Sequence, residues 1–243
     1  MPIILSIETS TKACSAAIHQ DGKLLSVSEL YNEKSSSGML TTLIEHVVKT
    51  ASLKLQEVDA IAVAKGPGSY TGLRIGVSTA KGLCFTLEKP LIAINTLEAM
   101  AFSIFDLKSD AQNPVTNLQS SIVNLLCPML DARRMEVYCA VYKADSLEVI
   151  EPTQAKIIDE TSFADLLEKH QIIFFGDGAE KCRTTLGANP NAVFLNHTIY
   201  PSAKSIGALA NGAFEQQQFE NVADFEPFYL KEFVGTTPKK NSI

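Results

Sequence analysis

The sequence predicts an α/β protein of two lobes, each a mixed β-sheet flanked by helices. Asp21-Gly22, set between Ala17-Ile18 and Leu24-Leu25, is a hairpin signal, because both residues tolerate positive φ; it folds the opening strands into an antiparallel meander. The apolar run at 58–64 passes through a glycine-rich turn into an almost uncharged helical stretch, as in a sheet with helices on its faces. Beyond a polar segment at 108–119, which contains Asn113-Pro114, the chain repeats strands, a helix and a strand with a Gly turn, a loose echo of the first half. The lobes are placed at 1–106 and 107–243, with a last helix at about 203–216 that is able to return to the first lobe. Two lobes also suit 243 residues, given about 150 residues per domain as a prior.

Each element has a local reason. IILSI at 3–7 is a strand ending at Glu8, TSTKA a turn, and CSAAI at 14–18 the second strand. Leu40, Leu43, Ile44, Val47, Val48 and Ala51 recur at helical spacing, with Ser35 to Ser37 as N-cap candidates. A strand at 58–64, a helix at 70–87 and a strand at 91–94 complete the first lobe. Strands at 122–126, 136–142 and 148–150 open the second, followed by a helix at 163–170 and a strand at 172–175. Gly176 to Ala179 (GDGA) turns into a further helix, and Pro201-Ser202 precede the last one, at 206–214. The aromatic tail at 225–233 is expected to pack on the body, and Lys239-Lys240 to lie in a frayed end.

Composition narrows the function classes. Hydrophobic residues are 46% and charged residues 20%, enough for a sizeable core. A net charge of −6 is unlike a chain that grips nucleic acid alone, which needs a basic footprint to neutralise phosphates. The five cysteines are scattered and never form C-x-x-C, so reduced thiols are expected. The opening MPIILSIETS lacks a basic n-region, and no apolar run approaches the ~20 residues of a membrane span; a cytoplasmic protein without membrane contact is expected.

The stretch AKGPGSYTGLRIG at 64–76 invites a phosphate reading, which its residues do not sustain. Leu73 follows Gly72 where a Walker A lysine would stand. A dinucleotide fingerprint would need an acidic residue after the next strand, which instead ends Ala93-Ile94-Asn95. The following helix carries only two charges, Arg74 and Lys81, which form one narrow polar stripe with Ser78. Gly72, Gly76 and Ala80 make a row of small residues at four-residue spacing. Pattern alone leaves two explanations for an almost wholly apolar helix: a partner helix against the row, or the chain's own core. The hydroxyls at Thr9, Ser10 and Thr11 and the GDGA turn have weak anion-binding potential beside ordinary turn readings, and Asp131, Arg133, Arg134 and Glu136 beside a strand read as a solvated charge cluster. The four histidines lack metal-ligand spacing, no G-x-S-x-G elbow is present, and no carboxylate pair stands out, so no catalytic or metal residue is assigned.

Taken together, IILSIETST, AKGPGSYTGLRIG, LDARRMEVY at 130–138 and GDGA resemble the bacterial TsaB (YeaZ) family over most of the chain. The resemblance implies the two-lobed sugar kinase/Hsp70/actin-like fold with RNase H-like lobes. It implies a non-catalytic subunit for forming N6-threonylcarbamoyladenosine beside the anticodon of tRNAs that read codons beginning with A. The implied partners are TsaD, which transfers the threonylcarbamoyl group, and the ATPase TsaE, with tRNA reached through the complex and a homodimer when alone. Its interface would use Leu40, Leu43, Val47, Gly72, Leu73, Gly76, Val77, Ala80 and Leu83, with burial against a partner explaining the missing charge. Vestigial nucleotide-binding positions would be Glu8, Thr9, Ser10, Thr11, Gly176 and Gly178, and no cofactor is expected. Glu8 stands where the family usually has Asp, and EKSSSGML at 33–40 lacks a histidine that many relatives carry; both count against nucleotide and metal. The alternative is an enzyme of the same fold, peptidase-like or a small-molecule kinase; assaying tRNA modification with and without the partners separates the two.

Overall fold

A computed structural model describes residues 1–31, 36–109 and 124–231. Two five-stranded sheets organise it. The first holds β1 (Ile3–Glu8), β2 (Ala13–Gln20), β3 (Lys23–Tyr31), β4 (Ala60–Gly66) and β5 (Leu91–Asn95), in the order β3-β2-β1-β4-β5. The second holds β6 (Asn124–Asp131), β7 (Glu136–Lys143), β8 (Val149–Ile157), β9 (Gln171–Phe175) and β10 (Ala192–Phe194). Read from β8, its order β8-β7-β6-β9-β10 repeats the first. In both, an antiparallel meander continues into parallel strands. The echo seen in the sequence is thus a duplicated topology, that of a two-lobed actin-like α/β protein. The Asp21-Gly22 turn has positive φ at both residues (53° and 74°), as its hairpin requires.

The strand β1 is apolar almost throughout because helices cover both its faces. On one side Leu5 and Ile7 meet α1 (Ser36–Thr50) and α2 (Tyr70–Leu87), through Leu43, Val47 and Val77. On the other, Ile4 packs with Ile206 and Ala210 of α6 (Ala203–Glu215), a helix from the end of the second half that lies on the first sheet. The Ala203 N–H donates to Ser15 Oγ at 2.9 Å, fixing the start of that helix. Between the sheets runs α3 (Thr96–Ser109), whose Leu97, Met100 and Ile104 pack on Leu126, Leu130 and Phe175. The second lobe has a separate core on its far face, where Phe163 and Leu167 of the short α4 segment (α4, Ala164–Leu167) meet Phe174.

The structure amends several sequence expectations. The third strand of the second lobe is longer than 148–150, and the helix at 163–170 shrinks to α4, which starts only after Phe163 because that residue has left-handed backbone, φ 63°. The GDGA turn leads into a 3-10 turn and the short α5 (Arg183–Leu186). The sequence reading had no counterpart for β10 or for α3 at 96–109. The polar segment at 110–119, the cap candidate Ser35 and the Lys239-Lys240 end lie outside the described residues, and the boundary placed at 106/107 falls inside α3. All five cysteines are buried and outside any disulfide; burial pushes the Cys14 thiol up to about 11 and Cys84 to about 12, so they behave as small apolar side chains. No described helix is long and apolar enough to cross a membrane.

Candidate functional site

The turn after β1 packs directly beneath the glycine loop. Ser69 donates its N–H to the Ser10 carbonyl at 2.6 Å, and Thr9 Oγ1 donates to the Gly72 carbonyl at 2.8 Å. A Cβ at Gly68 would stand 2.4 Å from the Ser10 carbonyl oxygen, so the glycines exist for close backbone approach and not for phosphate. Glu8 is fully buried, and its Oε1 accepts the Ser10 N–H at 2.5 Å. Burial pushes its carboxyl up to about 7 against the pull of the Ser10 and Thr9 groups. A phosphate brought here would meet a carboxyl group already holding the turn's donor. The residues do not fit a nucleotide's phosphate.

The matching turn of the second lobe is occupied in the same manner. Lys181 Nζ bonds Asp131 Oδ1 and donates to the Glu136 carbonyl at 2.7 Å, while Lys231 from the tail pairs with Glu136. Partial burial raises the Asp131 carboxyl, but bonding to Lys181 outweighs it and holds Asp131 below the usual range. Gly176 has φ 105°, and a Cβ there would lie 2.2 Å from the Met129 carbonyl oxygen; one at Gly178 would lie 2.7 Å from Leu130. Both glycines of GDGA let the turn lie against the end of β6. Beside it a 460 Å³ cleft is lined by Arg183 and Phe194, but Arg183 is paired with Glu180 at 3.0 Å and bonded to the Leu195 carbonyl. Thr11, the remaining nucleotide candidate, bonds the Ala13 N–H at 3.1 Å. Among the described residues no three His, Cys, Asp or Glu side chains gather as a metal site.

The open face lies on α1 and α2. Here the structure places most of the interface positions read from the sequence on the inner sides of the two helices. Leu40, Leu43 and Val47 are buried under α1, and Leu73, Val77 and Ala80 under α2. The small row faces the chain's own first turn: a Cβ at Gly72 would be 2.0 Å from the Thr9 carbonyl oxygen, and one at Gly76 2.3 Å from Thr9 Oγ1. Small residues admit a close neighbour whichever element it belongs to, and here that neighbour is the chain's own turn. Of the nine positions only the half-buried Leu83 reaches the outer surface, where with Ile44, Val48, Leu53 and Leu55 it lines a 490 Å³ apolar groove between the helices. Elsewhere on α2 stands Phe85, 83% exposed; two positions from Leu83, it lies roughly 160° around the helix from it, on the side of Arg74 and Ser78. The polar stripe is explained by the tail. Lys81 Nζ donates to the Ala223 and Phe225 carbonyls, both at 3.0 Å, and Arg74 bonds the Tyr70 hydroxyl, whose ring meets Tyr229 at 5.0 Å. Sequence reasoning counted Phe85 among the apolar residues of the helix. Its offset from the buried stripe Leu73–Val77–Ala80–Cys84 was the available signal.

Residues 31–234 match the family model described as TsaD: tRNA N6-adenosine threonylcarbamoyltransferase. The TsaB tRNA threonylcarbamoyladenosine biosynthesis protein of Escherichia coli (strain K12) is 29% identical over 236 residues, 96% of each chain. The TsaB protein of Haemophilus influenzae is 36% identical over 135 residues, 56% of this chain and 51% of that one. Among solved structures, YeaZ from Pseudomonas aeruginosa superposes with a TM-score of 0.77 at 24% identity, over 95% of this chain and all of that one, a likeness of fold. With the duplicated sheets and the glycine loop in place, the chain belongs to the TsaB (YeaZ) family.

Proposed function

We propose that this chain is a non-catalytic subunit in the formation of N6-threonylcarbamoyladenosine on tRNA, next to the anticodon of tRNAs reading codons that begin with A. It acts by docking a TsaD-type transferase on the outer face of α1 and α2. The observation that carries the reading is the contrast between two places: the anion turns are filled by the chain's own Glu8, Lys181 and Lys231, while the groove between α1 and α2 is apolar and open. An exposed apolar groove marks a protein interface, and an exposed aromatic such as Phe85, elsewhere on the same helix, is a usual anchor of one. The same face serves a homodimer when the chain is alone, TsaE joins the complex, and the setting is the cytoplasm. No nucleotide or metal is required by this subunit. A kinase or peptidase of the same fold is not favoured, since the turns that would hold phosphate are closed.

Two results are expected. The isolated chain, given threonylcarbamoyl-adenylate and tRNA, transfers nothing, whereas adding it to TsaD and TsaE restores modification; transfer by the chain alone would refute the assignment. Phe85→Glu leaves a folded protein, because the side chain is outside the core, but strands a charge in the contact. A cost of about 2–5 kcal/mol for an unpaired interfacial charge corresponds to a loss of some tens- to thousands-fold in TsaD affinity. Titration calorimetry reads it, and unchanged affinity with native circular dichroism removes this face from the interface.

A further inference from the structure

The structure assigns an RNA-backbone contact to the tip of the β6–β7 hairpin, where Arg133 and Arg134 take phosphates of the tRNA while the docked transferase holds the reacting nucleoside. This rests on the subunit reading above and adds to it a place where this chain itself touches the substrate. The hairpin closes through the Glu136 N–H on the Arg133 carbonyl at 3.1 Å, with positive φ at both Arg133 (71°) and Arg134 (50°). Glycine and asparagine occupy such backbone at little cost, and a long β-carbon side chain does not. Two consecutive arginines therefore sit where the backbone disfavours them, a pattern associated with functional positions.

Their charges are also the less committed ones, since Arg133 acts on Asp131 without a salt bridge. Asp131 and Glu136, the acids flanking the tip, are bonded by Lys181 and Lys231. The Arg133 backbone N–H, not its guanidinium, bonds Asp131 Oδ1 at 2.9 Å, and neither guanidinium has an ion pair among the described residues. Both side chains are exposed on a molecule whose net charge is −6, so the tip is a local exception to the surrounding field. Two exposed cations on a hairpin tip suit an extended phosphodiester backbone better than a compact nucleotide. The neighbouring tail adds a stacking surface. Two residues before Lys231, Tyr229 is 37% exposed, with its ring 5.0 Å from that of Tyr70 at the start of α2. Arginines beside exposed aromatic rings are the ordinary means of holding unpaired RNA. The same residues place the tip one tail step from α2, within reach of RNA held on a protein docked there.

The test uses the full chain in complex with TsaD and an unmodified tRNA transcript, with binding measured across a salt series. Replacing both residues (Arg133→Asn with Arg134→Gly) relieves the backbone, so the melting temperature should rise by about a few degrees. The same variant should lower tRNA affinity, and the slope of log K against log salt should fall by roughly 1 to 2 for two lost phosphate contacts. Arg133→Lys with Arg134→Lys should keep most of the slope. A complex of the double Asn/Gly variant with wild-type affinity and slope overturns the assignment, as does displacement of the RNA by inorganic triphosphate at concentrations too low to act as salt. If the wild-type complex neither binds nor modifies tRNA, the subunit reading itself fails, an outcome distinct from a silent variant.

Discussion

Gly72→Ala is expected to destabilise the chain by about 4 kcal/mol or more, the range reserved for backbone clashes in a packed core. Its new methyl group would lie 2.0 Å from the Thr9 carbonyl oxygen, a backbone atom that cannot rotate away. Moving Thr9 would also disturb its hydroxyl bond to Gly72 and the Ser69–Ser10 bond, which together seat α2 on the first sheet. At about 2–4 °C per kcal/mol for a chain of this size, the melting point should fall by roughly 10 °C. Gly76→Arg and Ala80→Glu should likewise give unfolded protein and not folded monomers, since Thr9 Oγ1 is 2.3 Å from a Cβ at Gly76 and Ala80 is fully buried. Gly82 is the internal control. It lies in the same helix with nothing within 4 Å of its would-be Cβ, so Gly82→Ala should stabilise by about 0.5–1 kcal/mol through helix propensity. Thermal melts of the two alanine variants decide the matter; a Gly72→Ala protein melting with wild type would mean that α2 does not sit on this turn.

That contrast marks what the sequence could and could not disclose. The Asp21-Gly22 hairpin, the stripe of α1 and the span of α2 were legible because each follows from local periodicity or turn chemistry. The duplication was visible only faintly, since it resides in strand order and not in repeated residues. The pattern left open which neighbour the small row of α2 meets. Small residues at four-residue spacing report close approach, but whether a partner helix or the chain's own Thr9 approaches depends on a contact 63 residues away in sequence. The polar stripe of Arg74 and Lys81 was unreadable for a similar reason, because the tail carbonyls it serves lie 142 and 144 positions beyond Lys81. In α3 burial comes from both sheets at once, which erases the amphipathic pattern that would have announced the helix.

Two buried groups should give the folded chain opposing pH dependences that conceal each other. Glu8, pushed up to about 7 from an ordinary 4.5 by burial, is cheaper to protonate in the folded state than in the unfolded one. Its contribution is fully present below pH 4.5 and is lost as pH rises through 7, at about 1.4 kcal/mol per unit and roughly 3 kcal/mol in all. His19 is displaced the other way, to about 4 from 6.5, by burial first and then by the Lys204 charge, against its bond to the Lys204 carbonyl. It is wedged beneath Gly207 of α6, where a Cβ would be 2.1 Å from its Nδ1, and Lys204 itself is paired with Asp106 at 3.9 Å. Stability from His19 is present above pH 6.5 and lost as pH falls through 4, by a similar amount. Between pH 4.5 and 6.5 the two slopes oppose, and wild type should show little net change from this pair. Glu8→Gln keeps the hydrogen-bonding shape of a protonated carboxyl and removes its ionisation. Relative to wild type, its advantage should grow from near zero at pH 4 to about 3 kcal/mol at pH 8. His19→Gln, whatever its absolute stability, should lose the acid-side decline. Urea denaturation at pH 4, 5.5 and 8 measures both differences. A Glu8→Gln difference that stays constant with pH would mean that the carboxyl is solvated, and that the first turn is open to an anion after all.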